Sequence, residues 1–314
     1  MPLEFATASD SPPTIVWFRE DLRVADNPAL ARAIERGTTV VPVFVLDDQS
    51  PAPWQPGGAA RWWLHHSLRA LDAALQARGV SLVLRCGAAD RVIPDLAAET
   101  GAGAVVWNRL YEGWARARDA RIKQALKDRG LAVESFNGRV LHEPWVPRTG
   151  SGEPYKVFTP FWKALLKLDP PDAPTPAPKR IPPGPKMPSD RLDDWGLVPT
   201  SPDWAGGLRA TWTPGEPGAH ARLTDFLDNR LARYPELRNR PDTNGTSALS
   251  PHLRWGEVSP RQVWHAAQHV MARDGLQDAG MAFLRELGWR DFSYHLLYWW
   301  PDIADVTWKP QFQA

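Results

Sequence analysis

"TIVWF", residues 14–18, is the first of five short runs rich in strand formers, and the rhythm of those runs decides the fold. "VVPVFVLD" (40–47), "VSLVLR" (80–85), "GAVVW" (103–107) and "LAVESF" (131–136) follow it. Their near-continuous apolar character is that of strands buried on both faces, and hence of a parallel sheet. Between them lie "NPALARAIERG", "AARWWLHHSLRALDAALQARG", "RVIPDLAAETG" and "EGWARARDARIKQALKDRG", which space their apolar residues as helices do. Several of these end in Gly, a helix C-terminal signal. The alternation predicts a doubly wound α/β domain over residues 1–140.

Beyond it the pattern breaks. "DPPDAPTPAPKRIPPGPKMPSD", starting at Asp169, can be neither helix interior nor central strand. Residues 141–215 therefore read as a Pro-rich connector, extended and packed over the surface. From residue 216 to 314 the pattern is helical. In "ARLTDFLDNRLARY", Leu223, Phe226, Leu227, Arg230, Leu231 and Tyr234 follow i, i+3, i+4 spacing. "RQVWHAAQHVMARDG" and the 281–300 segment continue it, so this part reads as the beginning of an all-α domain.

A chain of 314 residues with 43% hydrophobic content is large enough for two domains with real cores. A formal charge of +1 excludes a strongly basic histone-like protein but leaves room for a local basic patch. The lone Cys86 excludes a disulfide framework and an all-cysteine metal site, and fits a reducing compartment. The start, "MPLEFATASDSPP", has no basic n-region and no apolar core, and no apolar run reaches transmembrane length. No signal peptide and no membrane partner are expected, and the expected location is cytoplasmic. The 17 tryptophans suit either a large aromatic core or a chain that handles flat conjugated molecules.

Some motifs reduce to ordinary structure. In "GAGAVV" (101–106) the glycines precede a strand, which makes an αβ turn and not a dinucleotide fingerprint. "NGT" (244–246) matches a glycosylation sequon that a cytosolic chain never presents to the enzyme. His65 and His66 are adjacent and point apart on a helix, so no metal site is expected. Two stretches carry more. "GTSALSPHLRWGEVSP" (245–260) gathers the hydroxyls of Thr246, Ser247 and Ser250 around a turn between helices, which can hold a phosphate or simply cap a helix. Around it Arg230, Arg233, Arg238, Arg240, Arg254 and Arg261 outnumber Asp228, Glu236, Asp242 and Glu257, as a polyanion-binding surface or a solvated face would have it.

The second stretch is "FLRELGWRDFSYHLLYWWP" (283–301). At about 100° per residue, Phe283, Glu286, Trp289, Arg290 and Ser293 fall on one side. Leu287, Tyr294 and Tyr298 lie toward the other side, in a core. Glu286 and Arg290 have the spacing of an i,i+4 ion pair. A carboxylate among rings can equally hydrogen-bond a flat heterocycle stacked on the indole.

"IVWFREDLRVADNPAL" (15–30), "YKVFTPFWKA" (155–164), "GTSALSPHLRWGEVSPRQVW" and "FLRELGWRDFSYHLLY" together resemble the DNA photolyase/cryptochrome family, in its order and at its spacing. The resemblance implies an α/β antenna domain, a long connector and a helical domain that holds FAD. It also implies light-driven electron transfer from reduced FAD to a flipped cyclobutane pyrimidine dimer in DNA. On that basis Tyr234 and the run Thr246, Ser247, Ala248, Leu249 and Ser250 are expected to bind the flavin nucleotide, with Phe283 facing the flavin. Arg238, Arg290 and Ser293 are expected to touch DNA. Glu286 is expected to hydrogen-bond the dimer and Trp289 to stack on it, as the catalytic pair. The resemblance leaves the repair enzyme ahead of a cryptochrome-like receptor.

Two departures qualify it. Where many folate-antenna members carry Asn-Glu, this chain has Trp114-Ala115, so a deazaflavin, a differently held folate, or no antenna chromophore are all open. The family also continues beyond the equivalent of residue 314, so the helical domain is expected to be incomplete. An incomplete domain would expose apolar surface, be locally disordered after about residue 205, and hold FAD weakly or not at all. The chain alone is then expected to be inactive, and monomeric unless a second chain supplies the missing helices.

Overall fold

The computed structural model describes residues 11–307 and 311. The start of the leader reading, residues 1–10, and most of the last seven residues lie outside the described residues.

The five runs form five parallel strands, β1 (Thr14–Phe18), β2 (Val40–Leu46), β3 (Val83–Cys86), β4 (Ala104–Asn108) and β5 (Ala132–Phe136), in the order β3-β2-β1-β4-β5. In register, Ile15 faces Val41 on one side and Val105 on the other. β1, β2 and β4 are buried along their whole length, which is why their sequence is apolar without alternation. The order reverses between β1 and β4, where doubly wound sheets open a crevice at the strand C-termini.

Helices α1 (Pro28–Glu35) and α2 (Gly58–Gln76) cover one face, and α3 (Ala89–Thr100) and α4 (Gly113–Asp128) the other. Asn27 caps α1 by accepting from the Leu30 N–H at 3.1 Å, and Pro28 opens the helix with a preset φ. Gly101 closes α3 in the left-handed conformation at φ +62°, within the αβ turn expected of "GAGAVV".

The third run starts later than its sequence suggests. Val80–Leu82 stand outside the ladder because the connector has taken that part of the sheet edge: Val40 pairs with Pro183, donates to the Pro182 carbonyl at 2.8 Å and accepts from Gly184 N at 3.0 Å. Ile181 is fully buried in the core under α1 and α2, and Asp190 N donates to the Leu84 carbonyl at 2.9 Å. The Pro-rich run is thus an edge piece of the α/β layer, made of residues that cannot themselves build a ladder.

Within 141–215 also lies α5 (Phe158–Leu165), whose Phe158, Phe161, Trp162 and Leu165 pack into a separate helical core. That core is completed by α7 (Glu216–Asn229), α8 (Tyr234–Leu237), α9 (Ser250–Trp255), α10 (Pro260–Asp274) and α11 (Gln277–Trp299), while the short α6 (Gly206–Thr211) packs on the α/β side. Residues after 205, expected to be partly disordered, form these helices. α10 shows why: Ser259 and Gln262 make a reciprocal capping box, Pro260 opens it and Gly275 closes it at φ +70°.

The loop after β1 holds the two layers together. Arg23 donates to the carbonyls of Asp26, Gly138 and Gly256, at 2.7, 2.9 and 2.9 Å. Asp26 pairs with Arg261 at 2.6 Å, and Glu216 accepts from Val24 N and Ala25 N at 2.9 and 3.0 Å. Gly256 sits at φ +65°, where a Cβ would lie 2.2 Å from the Glu20 carbonyl oxygen, so no other residue fits this crossing.

Candidate functional site

The turn between α8 and α9 stands on particular residues. Gly245 packs so closely that a Cβ there would lie 2.4 Å from Leu237 Cβ. Arg230 braces the turn from outside, donating to Asn244 Oδ1 at 2.7 Å and to the Thr246 carbonyl at 3.1 Å. Ala248 takes φ +49°, left-handed for a residue with a Cβ, and Leu249 follows in the right-handed region. This alternation is the backbone geometry of an anion-binding nest.

The turn opens onto a cavity of about 420 Å³. Tyr234, Ser247, Leu249 and Ser250 form one side, with Leu253 and Arg254 of α9 beside them. The opposite wall is α11, through Phe283, Glu286, Leu287, Arg290, Ser293 and Tyr294. The structure therefore brings Tyr234, Ser247, Leu249, Ser250, Phe283, Glu286, Arg290 and Ser293 to one place. Thr246, Ala248, Arg238 and Trp289 are outside the lining.

The face of α11 is turned relative to the expectation. Leu287 is buried in the helical core as expected but also borders the cavity, Tyr294 lines it, and Trp289 does not. Its indole lies flat on Phe158 of α5, ring centroids 3.6 Å apart at 10°, and remains 43% exposed. At about 100° per residue the stripe is centred between Phe283 and Arg290, which places Trp289 roughly a quarter-turn aside. Gly288 allows the approach of α5, since a Cβ there would lie 2.4 Å from the Trp162 ring.

The charged residues are committed. Glu286 pairs with Arg238 at 2.7 Å, and not with Arg290 as the i,i+4 spacing allowed. The Arg238 guanidinium also stands over the Tyr234 ring, 5.5 Å from its centroid. Burial pushes the Tyr234 phenol up, while Arg238 pulls the other way. Arg290 donates to the Arg139 and Leu253 carbonyls and stacks on Tyr294, 4.9 Å from the ring centroid. Next to it Asp291, buried, accepts from Leu141 N at 2.8 Å and His142 N at 3.3 Å, and burial lifts its pKa to about 7.

A second, smaller cavity of about 100 Å³ opens at the C-terminal ends of β1 and β2, beside the switch point. Trp17, Arg19, Asp47, Trp54, Trp114 and Arg118 are among its lining. Arg118 stands between the Trp17 and Trp114 rings, 4.9 and 5.0 Å from their centroids, and the buried Trp17 Nε1 has no hydrogen-bond partner. Trp114 thus helps to wall this cavity. Leu253, Arg254, Leu287 and Tyr294 are site residues that the sequence did not assign. For Arg254 the only signal was the basic cluster around the turn.

Among the described residues no cluster of three or more His, Cys, Asp or Glu could hold a metal ion, and no helix is long and apolar enough to cross a membrane.

The sequence model of the DNA photolyase family matches residues 14–179. The deoxyribodipyrimidine photo-lyase of Agrobacterium fabrum is 47% identical over 304 residues, covering 96% of this chain and 62% of that protein. Cryptochrome-1 of Arabidopsis thaliana is 37% identical, covering 91% of this chain and 43% of that protein. The crystal structure of a bacterial class III photolyase from Agrobacterium tumefaciens superposes with a TM-score of 0.93 at 46% identity, covering 98% of this chain and 64% of that one. The chain therefore spans 62% and 64% of the length of these two photolyases.

Proposed function

Because this chain belongs to the DNA photolyase/cryptochrome family, we propose that it serves as a deoxyribodipyrimidine photo-lyase, repairing pyrimidine dimers in DNA with light and FAD. The observation that carries this reading is the meeting of the 246–250 turn and the Phe283, Glu286 and Arg290 face of α11 across one cavity. Its residues fit a flavin nucleotide. The Ser247 and Ser250 hydroxyls and the left-handed Ala248 suit phosphate oxygens, and the buried Phe283 and Leu287 suit a flat ring. Bound reduced FAD would supply the electron that splits the dimer.

The chain's own residues have distinct parts. Glu286, on the cavity wall, would accept hydrogen bonds from the base edge and stabilise charge developing on the dimer, with Arg238 setting its orientation. Trp289, partly exposed, would offer its free face to a flipped base. The smaller cavity at β1 and β2 suits an antenna chromophore, a flat ring held by Arg118 and the Trp17 indole. The test is light-dependent repair of dimer-containing DNA by the FAD-supplemented chain. Repair that falls at least tenfold in Glu286→Ala supports the reading, and none above background in the parent chain contradicts it in favour of the expectation that this chain alone is inactive.

A cryptochrome-like receptor is the second reading. What favours it is the position of Trp289, stacked on Phe158 and outside the cavity lining. Flavin photochemistry without repair would select it.

A further inference from the structure

Arg254 lines both cavities, and the two are otherwise walled by different residues. Its guanidinium pairs with Glu20, which faces the smaller cavity. The other oxygen of Glu20 lies 2.5 Å from Arg139 Nη1, and Arg139 donates in turn to the hydroxyl of Tyr294 on the wall of the larger cavity. A chain of ion pairs and hydrogen bonds therefore joins one cavity to the other, with Arg139 Nη1 donating to the Glu20 main-chain carbonyl at 2.9 Å and meeting the carboxylate as an ion pair only. Its two ends differ in freedom. The Arg139 side chain is 2% exposed and fixed at both ends, whereas that of Arg254 is 49% exposed. Burial pushes the Glu20 carboxyl up, and the two guanidiniums more than offset it, so it stays below the usual range. The other arginines of the smaller cavity are already committed: Arg19 to Asp119 at 2.6 Å, and Arg118 to Asp119 and Asp47 at 3.0 and 3.4 Å.

We propose that Arg254 is a cation shared by the two cavities, so that anionic ligands bound in them oppose one another. The proposal rests on the reading of both cavities as ligand sites. An anion in the larger cavity draws the half-exposed guanidinium toward itself and leaves Glu20 with Arg139 alone. The smaller cavity then becomes more negative and repels an anion, while a neutral ring is indifferent. By linkage, an anion in the smaller cavity weakens anion binding in the larger one by the same factor.

The test uses the full chain, with pyrophosphate for the larger cavity and two fluorescent flat probes for the smaller: pterin-6-carboxylate, an anion, and 6-methylpterin, which is neutral. Saturating pyrophosphate is expected to raise the apparent Kd of pterin-6-carboxylate about fivefold or more, to a plateau, and to leave that of 6-methylpterin unchanged. A plateau marks coupling through a ternary complex, and an unlimited rise marks simple displacement and overturns the proposal. Arg254→Gln should abolish the effect and Arg254→Lys should keep part of it. Binding of both probes without coupling, or coupling that survives in Arg254→Gln, overturns the shared cation and leaves the ligand sites standing. Failure of pyrophosphate or of both pterins to bind a folded chain overturns the reading of that cavity and the coupling with it.

Discussion

Arg238 Nη2 stands 2.7 Å from Glu286 Oε1, so the one carboxylate that the described residues place on the wall of the helical cavity is partnered before any ligand arrives. Both side chains are about a third exposed, 31% and 36%, and the pair is therefore worth little to folding. Its value is orientation: it holds Glu286 in one direction along the wall.

Removing Arg238 should separate these roles. Arg238→Ala is expected to change unfolding free energy by less than about 1 kcal/mol. Its affinity for dimer-containing DNA should fall, and the slope of log affinity against log salt should shrink by about one phosphate contact. A salt titration with parent and variant checks this. An unchanged slope would show that Arg238 serves Glu286 alone.

Glu257 should be the opposite case. It is fully buried between the layers and accepts from Trp63 Nε1 at 2.9 Å, Gly215 N at 2.7 Å and Ser67 Oγ at 2.5 Å, with His252 Nδ1 at 2.5 Å. Glu257→Leu strands these donors and is expected to cost about 3 kcal/mol or more in denaturant unfolding. Glu257→Gln should cost clearly less, because its amide can donate to His252 once that ring changes tautomer. Equal losses in the two variants would mean that the buried charge, and not the hydrogen bonding, is what the interface requires.

Asp291 gives a pH signature. Burial raises its pKa from 3.8 to about 7 in the folded chain. Between those values the folded state holds a proton that the unfolded state has lost, so its contribution is fully present below about pH 4 and is lost as pH rises through 7. The integrated effect is on the order of 4 kcal/mol. His65, His66, His142 and His295, lowered by burial, act in the opposite direction, losing stability as pH falls below about 6.5. The difference between the parent and Asp291→Asn isolates the carboxyl: the parent's advantage should shrink from pH 4 to 7 and be flat beyond. A difference independent of pH would place the Asp291 pKa near its ordinary value.

The sheet was legible because burial on both faces leaves a direct mark, an apolar run such as "VVPVFVL" in β2. The start of β3 was not, because the connector that displaces Val80–Leu82 is far away in sequence and contains prolines that no strand pattern includes. At the site, the turn at 246–250 and most of the α11 face could be read from hydroxyl clustering and helical spacing. The rotation of α11 could not, since the spacing of apolar and polar residues is nearly even around it. Contact with Phe158, more than a hundred residues earlier, is what carries Trp289 to the flank. Arg254 was visible only as one basic residue among several. Its place between two cavities is set by the packing of α9 against the loop after β1, a tertiary fact with no local signal.

The most direct test of the account is a flavin titration. The purified chain and Ser250→Trp, which fills the cavity from an exposed position on its rim, are titrated with FAD while flavin fluorescence is followed. Against the weak or absent binding expected from the sequence alone, the account predicts saturable binding to the parent chain, loss of at least tenfold in affinity in the variant, and unchanged folding of both by circular dichroism. No binding to a folded parent chain, or equal binding to both, would contradict the assignment of the helical cavity as the flavin site.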